Sequence, residues 1–208
     1  MRVGMKRLIE GAIYSWELTA DGKRREKMVW IFAILVTCIA WQNGWASDYD
    51  ITGIGLRGGI NIKDGGLPPT EKEDFQQYDV FATMQLPWIF GEAPSPKNLS
   101  LQLMGSAGAL RSNGETGFIT TLTTGLAYHN PEWRILLDMG IGVGLISQYR
   151  FGRQDIGGPF QFIAHGGAGV ELVKKTVVGW RFHHMSDATI YGSSRGVDLH
   201  MLELRYVF

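Results

Sequence analysis

From Trp133 to Leu145 the chain alternates without a break. Trp133, Ile135, Leu137, Met139, Ile141, Val143 and Leu145 fall on one side; Arg134, Asp138, Gly140, Gly142 and Gly144 fall on the other. A strict period of two belongs to an extended strand whose faces meet different surroundings, and it excludes a helix, whose faces repeat every 3.6 residues. Soluble strands usually run about 5–6 residues, and this one is about twice as long. An unbroken apolar face of that length is the feature any fold of this chain must accommodate.

The pattern recurs. Ile54, Leu56, Ile60 and Ile62 oppose Arg57, Asn61 and Lys63, and the series Tyr78 to Trp88 opposes Gln77, Asp79, Thr83 and Gln85. Leu99, Leu101 and Leu103 alternate with Ser100 and Gln102, and Phe118, Leu122, Leu126 and Tyr128 with smaller residues. Phe160, Phe162, Ala164, Ala168, Val170 and Leu172 oppose Gln161, His165 and Glu171. Val178, Trp180 and Phe182 oppose Arg181 and His183, and Leu202, Leu204, Tyr206 and Phe208 oppose Glu203 and Arg205. Eight long segments, each with one apolar face and a second face of mixed charge and glycine, predict an all-β fold: an eight-stranded antiparallel transmembrane β-barrel, apolar outside and polar within. A soluble sandwich would need the reverse arrangement.

Eight strands leave a lumen that side chains fill, where Arg57, Asp79, Arg134, Asp138, Glu171, Arg181, Glu203 and Arg205 are expected to neutralise one another. Trp88, Tyr128, Trp133 and Tyr206, near segment ends, suit interfacial girdles. The ending Leu202, Leu204, Tyr206, Phe208 resembles the C-terminal signature of bacterial outer-membrane barrels. That resemblance implies the outer membrane as location and recognition of Phe208 by the assembly machinery. It also implies periplasmic termini, which put the connections 64–75, 111–117, 147–159 and 187–196 outside the cell and 89–98, 130–132 and 173–175 in the periplasm.

Residues 28 to 41, MVWIFAILVTCIAW, form an apolar run behind the basic GKRREK. The run is short of the roughly 20 residues of a transmembrane helix. With Gly44-Trp45-Ala46 before Ser47 it fits a secretory signal cleaved after Ala46. The expected division is therefore an N-terminal extension and signal at 1–46 and a barrel at 47–208. Residues 1–27 precede the usual start of such a signal, either as a long leading region or because the start codon lies further on. A lipoprotein site at Cys38 and a buried core helix are the competing readings. Cys38 is the only cysteine, so no internal disulfide supports the fold. From Ser47 on there are 13 Lys+Arg and 16 Asp+Glu. The exported part is mildly acidic, with no basic cluster interleaved with aromatics, which argues against nucleic acid as a partner.

The last hairpin carries the candidate chemistry. His184 continues the outward series Val178, Trp180, Phe182, and Ser186 follows two residues on, about 6.5–7 Å further along the same face. Asp198 shares parity with His200, Leu202, Leu204, Tyr206 and Phe208. A hairpin centred near Tyr191 sets Asp198 opposite His184, with Cβ atoms about 4.5–5.5 Å apart. Hydroxyl, imidazole and carboxylate in that order are what nucleophilic acyl transfer requires. Polar groups facing lipid are costly unless they serve a function. The alternative at this point is a headgroup-level position, where such residues cost little.

His184-Met185-Ser186 with Asp198 twelve residues beyond the serine, in the last hairpin of an exported eight-stranded barrel, resembles the PagL family of lipid A 3-O-deacylases, whose members carry His-x-Ser-Asn and a glutamate at the position of Asp198. The resemblance implies Ser186 as nucleophile, His184 as general base and then acid, and Asp198 as the orienting carboxylate. The substrate it implies is lipid A of lipopolysaccharide in the outer leaflet, from which an ester-linked 3-hydroxyacyl chain is released by water. Asp198 is one methylene shorter than the family's glutamate. Asp187 stands where the family has asparagine, a candidate oxyanion donor, and an ionised carboxylate cannot donate; either main-chain N–H groups near Asp187 and Ala188 serve instead, or activity is low.

His200 shares the outer face and could reach a lipid phosphate, whereas His183 and His165 face the lumen and His129 ends a strand. Gly140, Gly142, Gly144, Gly166 and Gly167 lie within strands, where small residues relieve crowding, and do not form a phosphate loop. No Cys/His set has metal-ligand spacing, and a hydrolytic triad implies no cofactor. A second copy of the chain is left open as a partner. The competing function is a non-enzymatic small outer-membrane barrel, structural or adhesive.

Overall fold

The computed structural model describes residues 51–62, 65–67, 71–87, 98–192 and 196–208. The expected signal segment, the division at 46 and the girdle residue Trp88 lie outside them. The strands are β1 (Ile51–Ile60), β2 (Phe75–Leu86), β3 (Leu99–Ser112), β4 (Glu115–Asn130), β5 (Ile135–Ile146), β6 (Arg150–Phe151), β7 (Gln154–Asp155), β8 (Phe160–Val173), β9 (Thr176–Ser186) and β10 (Val197–Val207). Eight of them close an antiparallel barrel in the order β1-β10-β9-β8-β5-β4-β3-β2, and β6 and β7 pair as a separate small hairpin. The expected fold class holds, and the alternation explains it. Ile54, Leu56, Val80, Leu122, Met139, Ile141, Val170, Leu172, Trp180, Leu202 and Leu204 are exposed on the outer wall, while Arg57, Asp79, Asp138, Arg181, Glu203 and Arg205 are buried within. So apolar a wall on a closed barrel matches a hydrocarbon surround.

Midway along the lumen those six charges, three of each sign, form the expected network. Arg57 Nε donates to Asp79 Oδ1 at 2.6 Å. The Arg181 guanidinium grips Asp138 through two bonds of 2.6 and 2.9 Å and donates from Nε to Glu203 at 2.9 Å. Arg205 donates to Glu203 at 2.5 Å and to Asp138 at 3.3 Å. Both Arg57 and Arg205 also lie over the Phe81 ring. Two residues assigned to this set belong elsewhere. Arg134 is exposed, at φ 57° in the turn between β4 and β5. Glu171, near the end of β8, accepts the N–H of Lys175 at 2.7 Å to close the next turn. Both sit at the rim, where the alternation has given way to turn geometry.

The upper end, the one with β6 and β7, departs further from a polar lumen. Phe75, Leu110, Ile119, Ile146, Ile163, Met185, Val197, Leu199 and Met201 point inward, and Phe151 and Ile156 from the β5–β8 connection close over them. The lumen is thus polar in the middle and plugged by an apolar core above. The expected loop at 111–117 is also shorter than its range suggested. Asn113 and Gly114 alone turn the chain, at φ 49° and 78°, with Ser112 paired to Glu115. Positive φ at both central residues is the primed hairpin turn that Asn-Gly favours.

Candidate active site

β9 and β10 pair with Asp198 opposite His184 and Leu202 opposite Trp180, so the two strands present His184, Ser186 and Asp198 on one face at the upper rim. His184 Nδ1 lies 2.5 Å from Asp198 Oδ1. His184 Nε2 lies 3.2 Å from Ser186 Oγ. A carboxylate only accepts, so the imidazole hydrogen belongs on Nδ1 and the Nε2 lone pair faces the serine hydroxyl. Such a row can draw a proton from Ser186 Oγ and stabilise the imidazolium that results. The side chain of His184 is 26% exposed and that of Asp198 only 4%. The imidazole is open to a substrate and the carboxylate is sealed.

The seal comes from the β1–β2 connection, which sequence reasoning did not associate with the site. The Leu67 N–H donates to Asp198 Oδ2. Asp198 N–H, just beyond the end of its pairing with β1, donates to Glu71 Oε1 at 2.7 Å. Gly66 lies against the same carboxylate; a Cβ there would come 2.5 Å from Asp198 Oδ2. Gln154, buried in the small hairpin, ties the connection down. It accepts from Lys72 N–H at 2.6 Å and donates to the Gly196 carbonyl at 3.0 Å. Gly65-Gly66-Leu67 has no periodicity, and only the fold brings it to Asp198.

The remaining candidates are placed differently. The Asp187 carboxylate is buried and accepts the N–H groups of Thr189 and Tyr191, each at 3.1 Å. It shapes the turn after the serine, where Ala188 and Thr189 take φ 48° and 65° and Ile190 N–H bonds back to the Asp187 carbonyl. His200 Nε2 donates to the Gly65 carbonyl at 3.0 Å, and its ring packs on Trp180 and Phe182. His183 is buried in the lumen, and His165 joins the charge network, 2.6 Å from Arg181 and 3.0 Å from Thr123. Among the described residues no group of three His, Cys, Asp or Glu side chains is placed to hold a metal ion.

Fold and site together define a class: a small membrane-spanning β-barrel with a hydroxyl, an imidazole and a carboxylate in hydrogen-bonding sequence on its outer wall. The family model described as lipid A 3-O-deacylase (PagL) matches residues 76–207, and the chain belongs to that family. The lipid A deacylase PagL of Bordetella bronchiseptica is 35% identical over 75 residues, which is 36% of this chain and 42% of that protein. The chain thus matches less than half the length of that relative. The crystal structure of the outer membrane enzyme PagL shares the fold, with a TM-score of 0.53 at 18% identity over 74% of this chain and 98% of that one.

Proposed function

We propose that this protein is an outer-membrane esterase that removes the ester-linked 3-hydroxyacyl chain from the 3-position of lipid A. The observation that carries the reading is His184, held between Ser186 and Asp198 on the lipid-facing wall at the upper rim. With the upper end outside the cell, that site stands where an outer-leaflet lipid offers its sugar-linked esters, and the apolar wall below receives the acyl chains. The exposed Leu202, Leu204, Tyr206 and Phe208 of the last strand extend that apolar wall.

In this reading His184 Nε2 takes the proton of Ser186 as Oγ attacks the ester carbonyl carbon, while Asp198 stabilises the imidazolium. The oxyanion is met by main-chain N–H groups of Asp187 and Ala188, since the Asp187 carboxylate is held in its turn. Collapse of the tetrahedral intermediate breaks the bond to the sugar oxygen, which takes the proton from His184 and leaves the acyl group on Ser186. Water, deprotonated by His184, then attacks the acyl-enzyme and releases the hydroxy acid.

The test is the mass of lipid A from outer membranes of cells producing the protein. Lipid A lighter by one hydroxyacyl chain, with the loss abolished by Ser186→Ala, is the expected result. An unchanged mass with folded wild-type protein would point to a structural or adhesive barrel, and a heavier lipid A to acyl transfer.

A further inference from the structure

We infer that the β1–β2 connection supplies positioning residues for the carboxylate of the catalytic row, namely the main chain of Gly66 and Leu67 and the side chain of Glu71. The inference deepens the esterase reading and rests on it. An aspartate at the top of β10 has little to hold it. It lies beyond the last β1 partner, where Ile60 meets His200, and the two oxygens of its short side chain could face either neighbour. Three contacts remove that freedom. Leu67 N–H occupies Oδ2, which leaves Oδ1 for His184. Glu71 accepts the Asp198 N–H and so substitutes for the strand that has ended. Gly66 lets the backbone close over the carboxylate, because a methyl group there would come 2.5 Å from Oδ2 and 2.7 Å from the Asp198 Cβ. The connection is itself held at two further points, by His200 on the Gly65 carbonyl and by Gln154 on the Lys72 N–H.

The consequence is a carboxylate that stays ordered beside lipid, shut off from the membrane by main chain, while the imidazole stays open. A group that acts only through Asp198 should affect the chemical step and leave substrate capture alone. In Gly66→Ala, either Asp198 or residues 65–67 must move by about 1 Å to restore ordinary van der Waals distance, and both routes displace the Leu67 N–H relative to Asp198 Oδ2. A misplacement of that size can cost about 10²-fold in rate.

The experiment uses full-length protein refolded in detergent, with folding checked by heat-modifiable gel migration, and lipid A in mixed micelles as substrate. Gly66→Ala is expected to lower kcat about 10²-fold with KM unchanged. Glu71→Ala should also lower kcat, and Glu71→Gln, which keeps an acceptor oxygen for the Asp198 N–H, should restore it. A second readout needs no turnover: the NMR signal of the His184 Nδ1 proton, drawn downfield by Asp198, should persist in Ser186→Ala and vanish in Gly66→Ala. Folded Gly66→Ala with wild-type kcat, a change confined to KM, or an unaltered proton signal would overturn the inference. Failure of the esterase reading would look different: wild-type protein would release no hydroxy acid while the His184 proton still responded to Gly66.

Discussion

Asp198 stands across the last hairpin from His184, its Oδ1 2.5 Å from the imidazole Nδ1 and its other oxygen held by the Leu67 N–H. Both carboxylate oxygens are therefore acceptors in use. Asp198→Asn keeps the size but replaces one acceptor with an NH2 group. Facing His184, that group would drive the hydrogen from Nδ1 to Nε2, where it opposes the serine hydroxyl; facing Leu67, it would oppose an N–H. In Ser-His-Asp enzymes the same exchange loses about 10⁴-fold in kcat, and a loss of that order is expected here. The rate of hydroxy acid release from purified lipid A measures it.

Arg181 bonds to Asp138 and Glu203 at once, deep in the lumen. Removing one member of a buried ionic network leaves uncompensated charge, at a cost of about 3–5 kcal/mol. Arg181→Leu strips the principal partner from Asp138 and leaves three carboxylates facing two guanidinium groups. The folded barrel should lose stability by about that amount, seen as a lower urea midpoint for its heat-modifiable band. A midpoint equal to wild type would mean that water or rearranged arginines replace Arg181.

Asp187 follows the serine, yet its carboxylate turns inward to the N–H groups of Thr189 and Tyr191. Asp187→Asn retains one acceptor oxygen for two donors, and a buried N–H left without a partner costs about 1–3 kcal/mol. Amide exchange at Thr189 or Tyr191 should accelerate accordingly, and hydrolysis should not speed up. A faster reaction would show that a side-chain amide at this position donates to the oxyanion.

The wall of the barrel and the pairing of its last two strands were legible because period two fixes which face each residue takes. Once the turn was centred at Tyr191, the parity of His184 and Asp198 left one register, and the strands adopt it. Asn113-Gly114 carries a hairpin-turn signal that the expected connection at 111–117 did not use, and the turn is only those two residues long. Val197, Leu199 and Met201 lie on the same side of β10 as Glu203 and Arg205, so apolar residues near the top fall on the lumen face and the alternation no longer says what the lumen contains. The apolar plug is decided by Phe151 and Ile156 reaching over from a distant connection. The small hairpin of β6 and β7 is too short to show a period. Gly66, Leu67, Glu71 and Gln154 were out of reach because their contacts with Asp198, Lys72 and Gly196 join segments far apart in the chain, where sequence spacing carries no information about distance.

Glu73 and Arg153 connect the β1–β2 connection to the small hairpin, and their pairing responds to pH. The Arg153 main-chain N–H at 2.8 Å and its Nε at 3.1 Å both donate to Glu73 Oε1, and these bonds to the charged form hold the carboxyl below its usual value. When the connection is released, Glu73 returns to an ordinary carboxylate pKa. The tie therefore contributes fully above that ordinary value and is lost as pH falls through the lowered, docked one. Arg153 is well exposed, so solvent and salt screen the pair and the effect is local rather than global. Exchange at the Arg153 amide should speed up on acidification relative to strand amides, after correction for the intrinsic pH dependence of exchange. In Glu73→Gln the same amide should exchange faster at neutral pH and show no further acid-dependent change. A wild-type amide as protected in acid as at neutral pH would show that the docking of these two loops does not depend on the Glu73 charge.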